Sequence, residues 1–277
     1  MTLFSTIGEH DPPNIAMSRK GKLKLVADWN QENEIIEGLI RDQCVRREVN
    51  SGVDPQPTIS RHVSILEAGC GRSWPFHLND IDCFVTGIDT DPEALKARKY
   101  TLDRSIEGDI VSADFEADSF DVVYCSFVLE HIERADLAIK NFCKWIRPNG
   151  LIIIRIPDPH SVQGFFTRKT PHWFHLFYYR VIEGIKEAGK PGYGPYPTFY
   201  NPIVSRQGIR DYCGVAGNLI KLESEYGDGY VRQGRGPMKP LIHLFKKVVS
   251  IVSGGVLNAD HTNLLYILRK RSSEKYF

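Results

Sequence analysis

The sequence predicts an α/β protein with a doubly wound sheet, and three features carry that prediction. From residue 61 onward, short apolar runs rich in β-branched residues alternate with segments of helical periodicity. The runs are apolar on both faces, as strands between two helical layers must be, whereas a half-exposed antiparallel sheet would alternate apolar with polar. The first run ends in a Gly-x-Gly turn, where such sheets bend sharply and open a ligand crevice.

The elements follow in order. Residues 1–25 show no periodic pattern and read as an arm. In 28–48, Ile35, Ile36, Leu39, Ile40 and Val45 recur at helical spacing behind Asp28, a side chain suited to cap the first backbone N–H groups. This helix is expected to pack outside the main sheet. Ser51-Gly52-Val53-Asp54-Pro55-Gln56-Pro57 is turn-forming, so the chain divides into an arm, helix and linker over 1–57 and a main domain over 58–277.

Strands are expected at 62–68, 84–88, 105–108, 120–125 and 151–156. Between them, 92–102 opens with Asp91 as cap and Pro92 at the first helical position. The segment 135–146 sets Leu137, Ile139, Phe142 and Ile146 on one face. After Pro157 the rhythm stops, returning as a helix at 205–215, a strand at 218–225, a helix at 240–252 and a strand at 263–269. The intervening 165–200 holds 11 of the chain's 30 aromatic residues, which marks an insertion with its own purpose.

Composition bounds the function. At 277 residues and 31.5 kDa the chain can bury one large core, with 42% hydrophobic and 25% charged residues as in ordinary globular proteins. Lys and Arg number 35 against 34 Asp and Glu, so no basic surplus suggests a nucleic-acid partner. Six scattered cysteines, without C-x-x-C or a short Cys/His spacing, read as reduced thiols and imply no metal site. The N-terminus lacks a basic start followed by an apolar core, so a cytoplasmic location is expected. No run approaches the roughly 18 apolar residues of a membrane span. The nearest, 248–259, is broken by Ser253, Gly254 and Gly255, which leaves contact with a membrane surface open.

Chemistry concentrates at Ile65-Leu66-Glu67-Ala68-Gly69-Cys70-Gly71, an apolar strand ending in an acid and a glycine turn. Twenty residues past Gly69, Asp89 ends the next strand, placed to accept from both hydroxyls of a ribose. A dinucleotide site would want a third glycine, so that a helix could aim its N-terminus at a pyrophosphate; that place is taken by Trp74, followed by Pro75. A nucleoside cofactor without phosphates is therefore favoured over NAD.

With these residues the chain resembles the class I S-adenosylmethionine-dependent methyltransferases, specifically small-molecule enzymes with a "LEHI" motif, here Leu129-Glu130-His131-Ile132. The likeness covers residues 65 to about 158 well. It implies a mostly parallel, seven-stranded Rossmann-like sheet with helices on both faces and an antiparallel last strand, and it makes 58–277 a methyltransferase domain. It further implies S-adenosylmethionine as cofactor, contacted by Glu67, Gly69, Gly71 and Asp89. In Gly108-Asp109-Ile110, Asp109 would take the adenine amino group and Ile110 cover the ring. Cys125, ending the strand at 120–125, would face the ligand.

One departure stands out: Arg72-Ser73-Trp74-Pro75 replaces the family's third glycine, and the first helix must be short because the second strand starts near Phe84. For a poorly nucleophilic acceptor, His131 and His160 are the candidate bases, both on carboxyl-edge loops, and Asp158 could orient His160. Three uses stay open for 165–200: a lid over a small-molecule acceptor, a contact between two copies in a homo-oligomer, or a membrane-surface contact. A nicotinamide-dependent oxidoreductase and a cofactor-binding regulatory protein without turnover are the rival functions.

Overall fold

The computed structural model describes residues 24–50, 62–182, 184–190, 194–228 and 239–272. Most of the expected arm, the linker 51–57 and Tyr193 of the aromatic segment lie outside them. The strands are β1 (Lys24–Val26), β2 (Val63–Ala68), β3 (Cys83–Asp89), β4 (Arg104–Glu107), β5 (Phe120–Ser126), β6 (Ile146–Pro157), β7 (Ile220–Asp228) and β8 (Asn263–Lys270). They form one sheet in the order β1-β7-β8-β6-β5-β2-β3-β4. Pairings among the described strands are parallel except those of β8 with β6 and β7. All seven expected strands and the antiparallel last strand are therefore present. The eighth, β1, has only three residues, too few for a periodic signal.

The helices are α1 (Trp29–Asn50), α2 (Pro92–Ala97), α3 (Ala135–Trp145), α4 (Val162–Lys169), α5 (His172–Phe177), α6 (Arg206–Val215) and α7 (Lys239–Val252). Helix α2 starts as expected, with the Asp91 carboxylate accepting from Glu93 N at 2.9 Å, but ends five residues early. The buried face of α3 is Ala135, Ala138, Ile139, Phe142 and Trp145, and Leu137 is only half-buried. That stripe packs on one sheet face together with Ile209 and Cys213 of α6.

The opposite face is covered unusually. No helix joins β2 to β3; residues 69–82 are turns and extended chain. Trp74, Phe76 and Leu78 fill part of that space, with Phe76 packed edge-on to Trp74 at 5.0 Å and to Tyr124 at 4.9 Å. Ile36 and Ile40 of α1 join the same cluster, both fully buried. Helix α1 thus lies on the sheet rather than outside it, because the missing crossover helix leaves apolar strand surface that must be removed from water.

The neighbours β2 and β5 mark the place where the strand order reverses, β3 and β4 running one way and β6 the other. The crevice beyond the carboxyl ends of these strands is where open α/β sheets bind ligands.

Candidate functional site

The turn after β2 is fixed by its backbone. Gly69 and Gly71 have φ of 72° and 55°, the left-handed region that side chains disfavour. A Cβ on Gly69 would lie 2.3 Å from Cγ2 of Val128, so this glycine also admits the loop that follows β5. Above Gly71, nothing lies within 4 Å of such a Cβ, and the backbone is open to the crevice.

Asp89 organises three segments. Its Oδ2 accepts from Gly71 N at 2.8 Å, its Oδ1 from Asp91 N at 2.9 Å, and its carbonyl from Gly108 N at 3.0 Å. Each carboxylate oxygen keeps a lone-pair site beyond those bonds. Asp109 is exposed at the end of the neighbouring strand β4, with Oδ1 accepting from Val111 N at 2.8 Å. Ile110 beside it is buried, and Asn141 of α3 holds the loop by donating to the carbonyls of Ile110 and Val111, both at 2.9 Å. Gly69, Gly71, Asp89 and Asp109 are therefore gathered along one edge.

Two expected cofactor contacts are placed otherwise. Glu67 is buried beneath the turn, its Oε2 accepting from Arg98 Nη2 at 2.7 Å. Burial raises its pKa to about 7 against the lowering influence of Arg98. Arg98 Nη1 also donates to the carbonyls of Cys70 at 2.8 Å and Ser73 at 3.0 Å, so the pair braces the turn from below. Cys125 is fully enclosed in the apolar cluster under α3 and has no surface to offer a ligand. Burial, aided by the Glu130 charge, pushes its thiol well above the usual range, which makes it inert.

On the other side of the crevice, His131 Nδ1 lies 2.7 Å from the Pro197 carbonyl. A carbonyl only accepts, so Nδ1 carries the proton and Nε2 is left as the acceptor. Burial lowers the pKa of His131, the Pro197 bond opposing it, and keeps the ring neutral. The ring meets Tyr196 edge-on at 5.6 Å. The Tyr196 phenol is raised by burial and then by the charge of Asp91, with Arg72 opposing. Next to His131, Glu130 is buried with Oε2 unpartnered, and burial raises its carboxyl to about 8.

Residues 196–200 cross from there to α4 and α5, where Thr167, Arg168, Thr170, His172 and His175 complete the wall of a cleft of about 440 Å³. Phe199 N donates to the Glu130 carbonyl at 2.9 Å, tying this wall to the turn after β5. Parts of the aromatic segment thus line an open cleft beside the turn after β5.

His160 stands apart. Its side chain is 55% exposed, with Nδ1 3.9 Å from Oδ1 of Asp158, the residue expected to orient it; Oδ2 of the same carboxylate is engaged by His261 Nε2 at 2.5 Å, and Asp158 and His261 are nearly inaccessible. Burial raises the Asp158 carboxyl, but the His261 bond and the His160 amide outweigh it and hold it below its usual value.

Sequence reasoning passed over His261, Arg98 and Arg155. Arg155 carried a signal, being a lone charge in the run Ile152-Ile153-Ile154-Arg155-Ile156. It is fully buried, donating to Tyr124 Oη at 2.8 Å and to Asn33 Oδ1 at 2.5 Å, with Trp29 stacked 3.9 Å above its guanidinium.

Comparison with known proteins fits this geometry. Residues 66–154, from β2 into β6, match the family model described as "Methyltransferase domain". Residues 66–154 therefore carry the pattern of a methyltransferase domain, over about a third of the chain.

Among its relatives is a sterol 24-C-methyltransferase of Debaryomyces hansenii, 29% identical over 103 residues, which are 34% of this chain and 27% of that protein. The match thus spans about a quarter of that relative's length. A ubiquinone biosynthesis O-methyltransferase of Methylobacterium nodulans is 26% identical over 199 residues, covering 64% of this chain and 78% of the relative. A chain from the complex of the Haloferax volcanii Trm112 methyltransferase activator and its methyltransferase shares the fold, with a TM-score of 0.50 and 13% identity over 88% of this chain and 99% of that one.

Proposed function

We propose that this protein transfers the methyl group of S-adenosylmethionine to a small-molecule or lipid-linked acceptor, such as a saccharide or secondary metabolite, by direct displacement. The observation that carries the reading is the convergence of the Gly69–Gly71 turn, Asp89 and Asp109 on one edge of the sheet. S-adenosylmethionine brings a methyl group already activated on a sulfonium sulfur, so the protein's tasks are alignment and exclusion of water. The open backbone at Gly71 leaves room for the nucleoside. The outer lone pairs of Asp89 would take the two ribose hydroxyls and Asp109 the adenine amino group, with Ile110 beneath the ring. Glu67 and Arg98 position the turn without touching the ligand.

The acceptor is assigned to the cleft lined by 196–200, where Tyr196, Phe199 and Tyr200 offer flat surfaces among the polar side chains of Thr167, Arg168, Thr170, His172 and His175. Relatives named for sterol, ubiquinone-biosynthesis and phosphoethanolamine methylation are consistent with a small-molecule acceptor. Of the two candidate bases, His131 is preferred: its Nε2 is an acceptor, and its ring is fixed by Pro197 and packed edge-on to Tyr196. His160 faces solvent.

Titration calorimetry tests the assignment. Wild-type protein should bind S-adenosylmethionine and S-adenosylhomocysteine and not NAD. Asp89→Ala should weaken binding by about 1.5–3 kcal/mol, the scale of hydrogen bonds to a charged acceptor, and His131→Ala by far less. Binding of NAD instead would move the protein to the oxidoreductases. Equal losses in both variants would refute the division into cofactor and acceptor sides.

A further inference from the structure

Helix α7 is docked the wrong way round for a core helix. Leu241, Leu244, Phe245, Val248, Ile251 and Val252 recur at the spacing of a single helical stripe. A helix packed on a sheet would bury that stripe. Here all six are exposed, from 48% at Val248 to 81% at Val252. The side turned to the protein carries Val249, packed on Val162, Leu257 and Ala259, and Lys246, which is buried and donates to Gln163 of α4 at 3.3 Å. Phe166 of α4, its ring 5.5 Å from that of Phe245, extends the apolar face. Helix α5 follows α4 after two residues and exposes Trp173 at 67%.

Charge selects the occupant. The two segments that build this surface, residues 159–182 and 239–259, contain six Lys or Arg and no Asp or Glu; Lys246 is turned inward, while Arg168, Lys169 and Arg180 are exposed. Asp260, just beyond, pairs with Lys247 and offsets only that one. A second copy related by a two-fold axis would set these positive groups against themselves. An uncharged apolar partner would leave them without counter-charge. An anionic lipid surface satisfies both features, its acyl boundary taking the Leu, Ile and Phe side chains and its headgroups the Lys and Arg. No described helix is long and apolar enough to cross a membrane, so the contact is one of lying on the surface.

We propose that the outer face of α7, with Phe166 of α4, seats this protein on an anionic bilayer. The inference is independent of methyl transfer, because its test reads adsorption alone. Full-length protein is sedimented with vesicles of phosphatidylcholine or of phosphatidylcholine with about one-third phosphatidylglycerol. Adsorption is expected to the mixed vesicles, to weaken with added salt, and to fall at least roughly tenfold in Leu244→Gln/Ile251→Gln, which remove the apolar contact and no charge. Both positions are exposed, so the thermal melt should be unchanged; Ile251→Gln alone gives the same readout if the pair lowers it. Failure of the wild type to adsorb overturns the proposal, as does adsorption indifferent to the substitutions. Self-association in sedimentation equilibrium, abolished by the same substitutions, would assign the face to a second copy and equally overturn it.

Discussion

Glu130→Gln isolates one buried carboxyl beside the candidate base. Glu130 is 2% exposed, one of its oxygens has no partner, and burial raises its pKa from 4.5 to about 8, its own backbone opposing weakly. The unfolded chain releases this proton near 4.5 and the native chain near 8. Between those values the native state holds more protons, so stability present at low pH is lost as pH rises, by about 1.4 kcal/mol per unit. Across the window that is on the order of 3–5 kcal/mol. Glutamine keeps the shape and cannot ionise, so the variant should gain on the wild type by that slope and then run level above pH about 8. Urea denaturation of both proteins from pH about 5 to about 9 measures the difference directly, other carboxyls cancelling between them. Parallel pH profiles would mean that Glu130 is solvated or paired with a cation in solution, and would sink the reasoning.

Two further outcomes are expected. Gly69→Ala combines a φ of 72° with a contact of 2.3 Å on Val128 and should cost roughly 1–3 kcal/mol in thermal denaturation, part of it recovered by Val128→Ala; full stability in the single variant would contradict the close approach. Trp173→Ala/Tyr178→Ala should abolish turnover while cofactor affinity stays within a few fold. Because Trp173 is 67% exposed, its loss should cost under roughly 1 kcal/mol, where a core aromatic would cost about 3–5; unfolding, or lost cofactor binding in folded protein, would defeat the lid assignment.

The strand pattern was legible because burial on both faces leaves uninterrupted apolar runs such as Leu151-Ile152-Ile153-Ile154. Asp89 and Asp109 were legible because strand ends of neighbouring parallel strands must meet at one edge. The role of Glu67 was not, since its partner Arg98 lies 31 residues away in a turn beyond α2 and no local spacing connects them. Nor was the inward facing of Cys125: strand alternation fixes that neighbours point oppositely, while which face meets the crevice depends on the loop after β5. The position of α1 was hidden for a similar reason. Its apolar stripe announced a burial partner, but which one followed only from the absence of a helix between β2 and β3.

That substitution of α1 for a crossover helix bears on the order of assembly during synthesis. Gln43 of α1 accepts from Arg269 of β8, 226 residues later, at 3.2 Å. Strand β8 is also the piece that joins β6 to β7. A growing chain would therefore make α1 before the strands it packs on and hold it without its full docking surface until β8 emerged. Non-local closure of this kind slows folding and prolongs exposure of apolar strands. The half of the sheet built from β2 to β6 can form early, whereas the face beneath α1 closes only once β8 has been made.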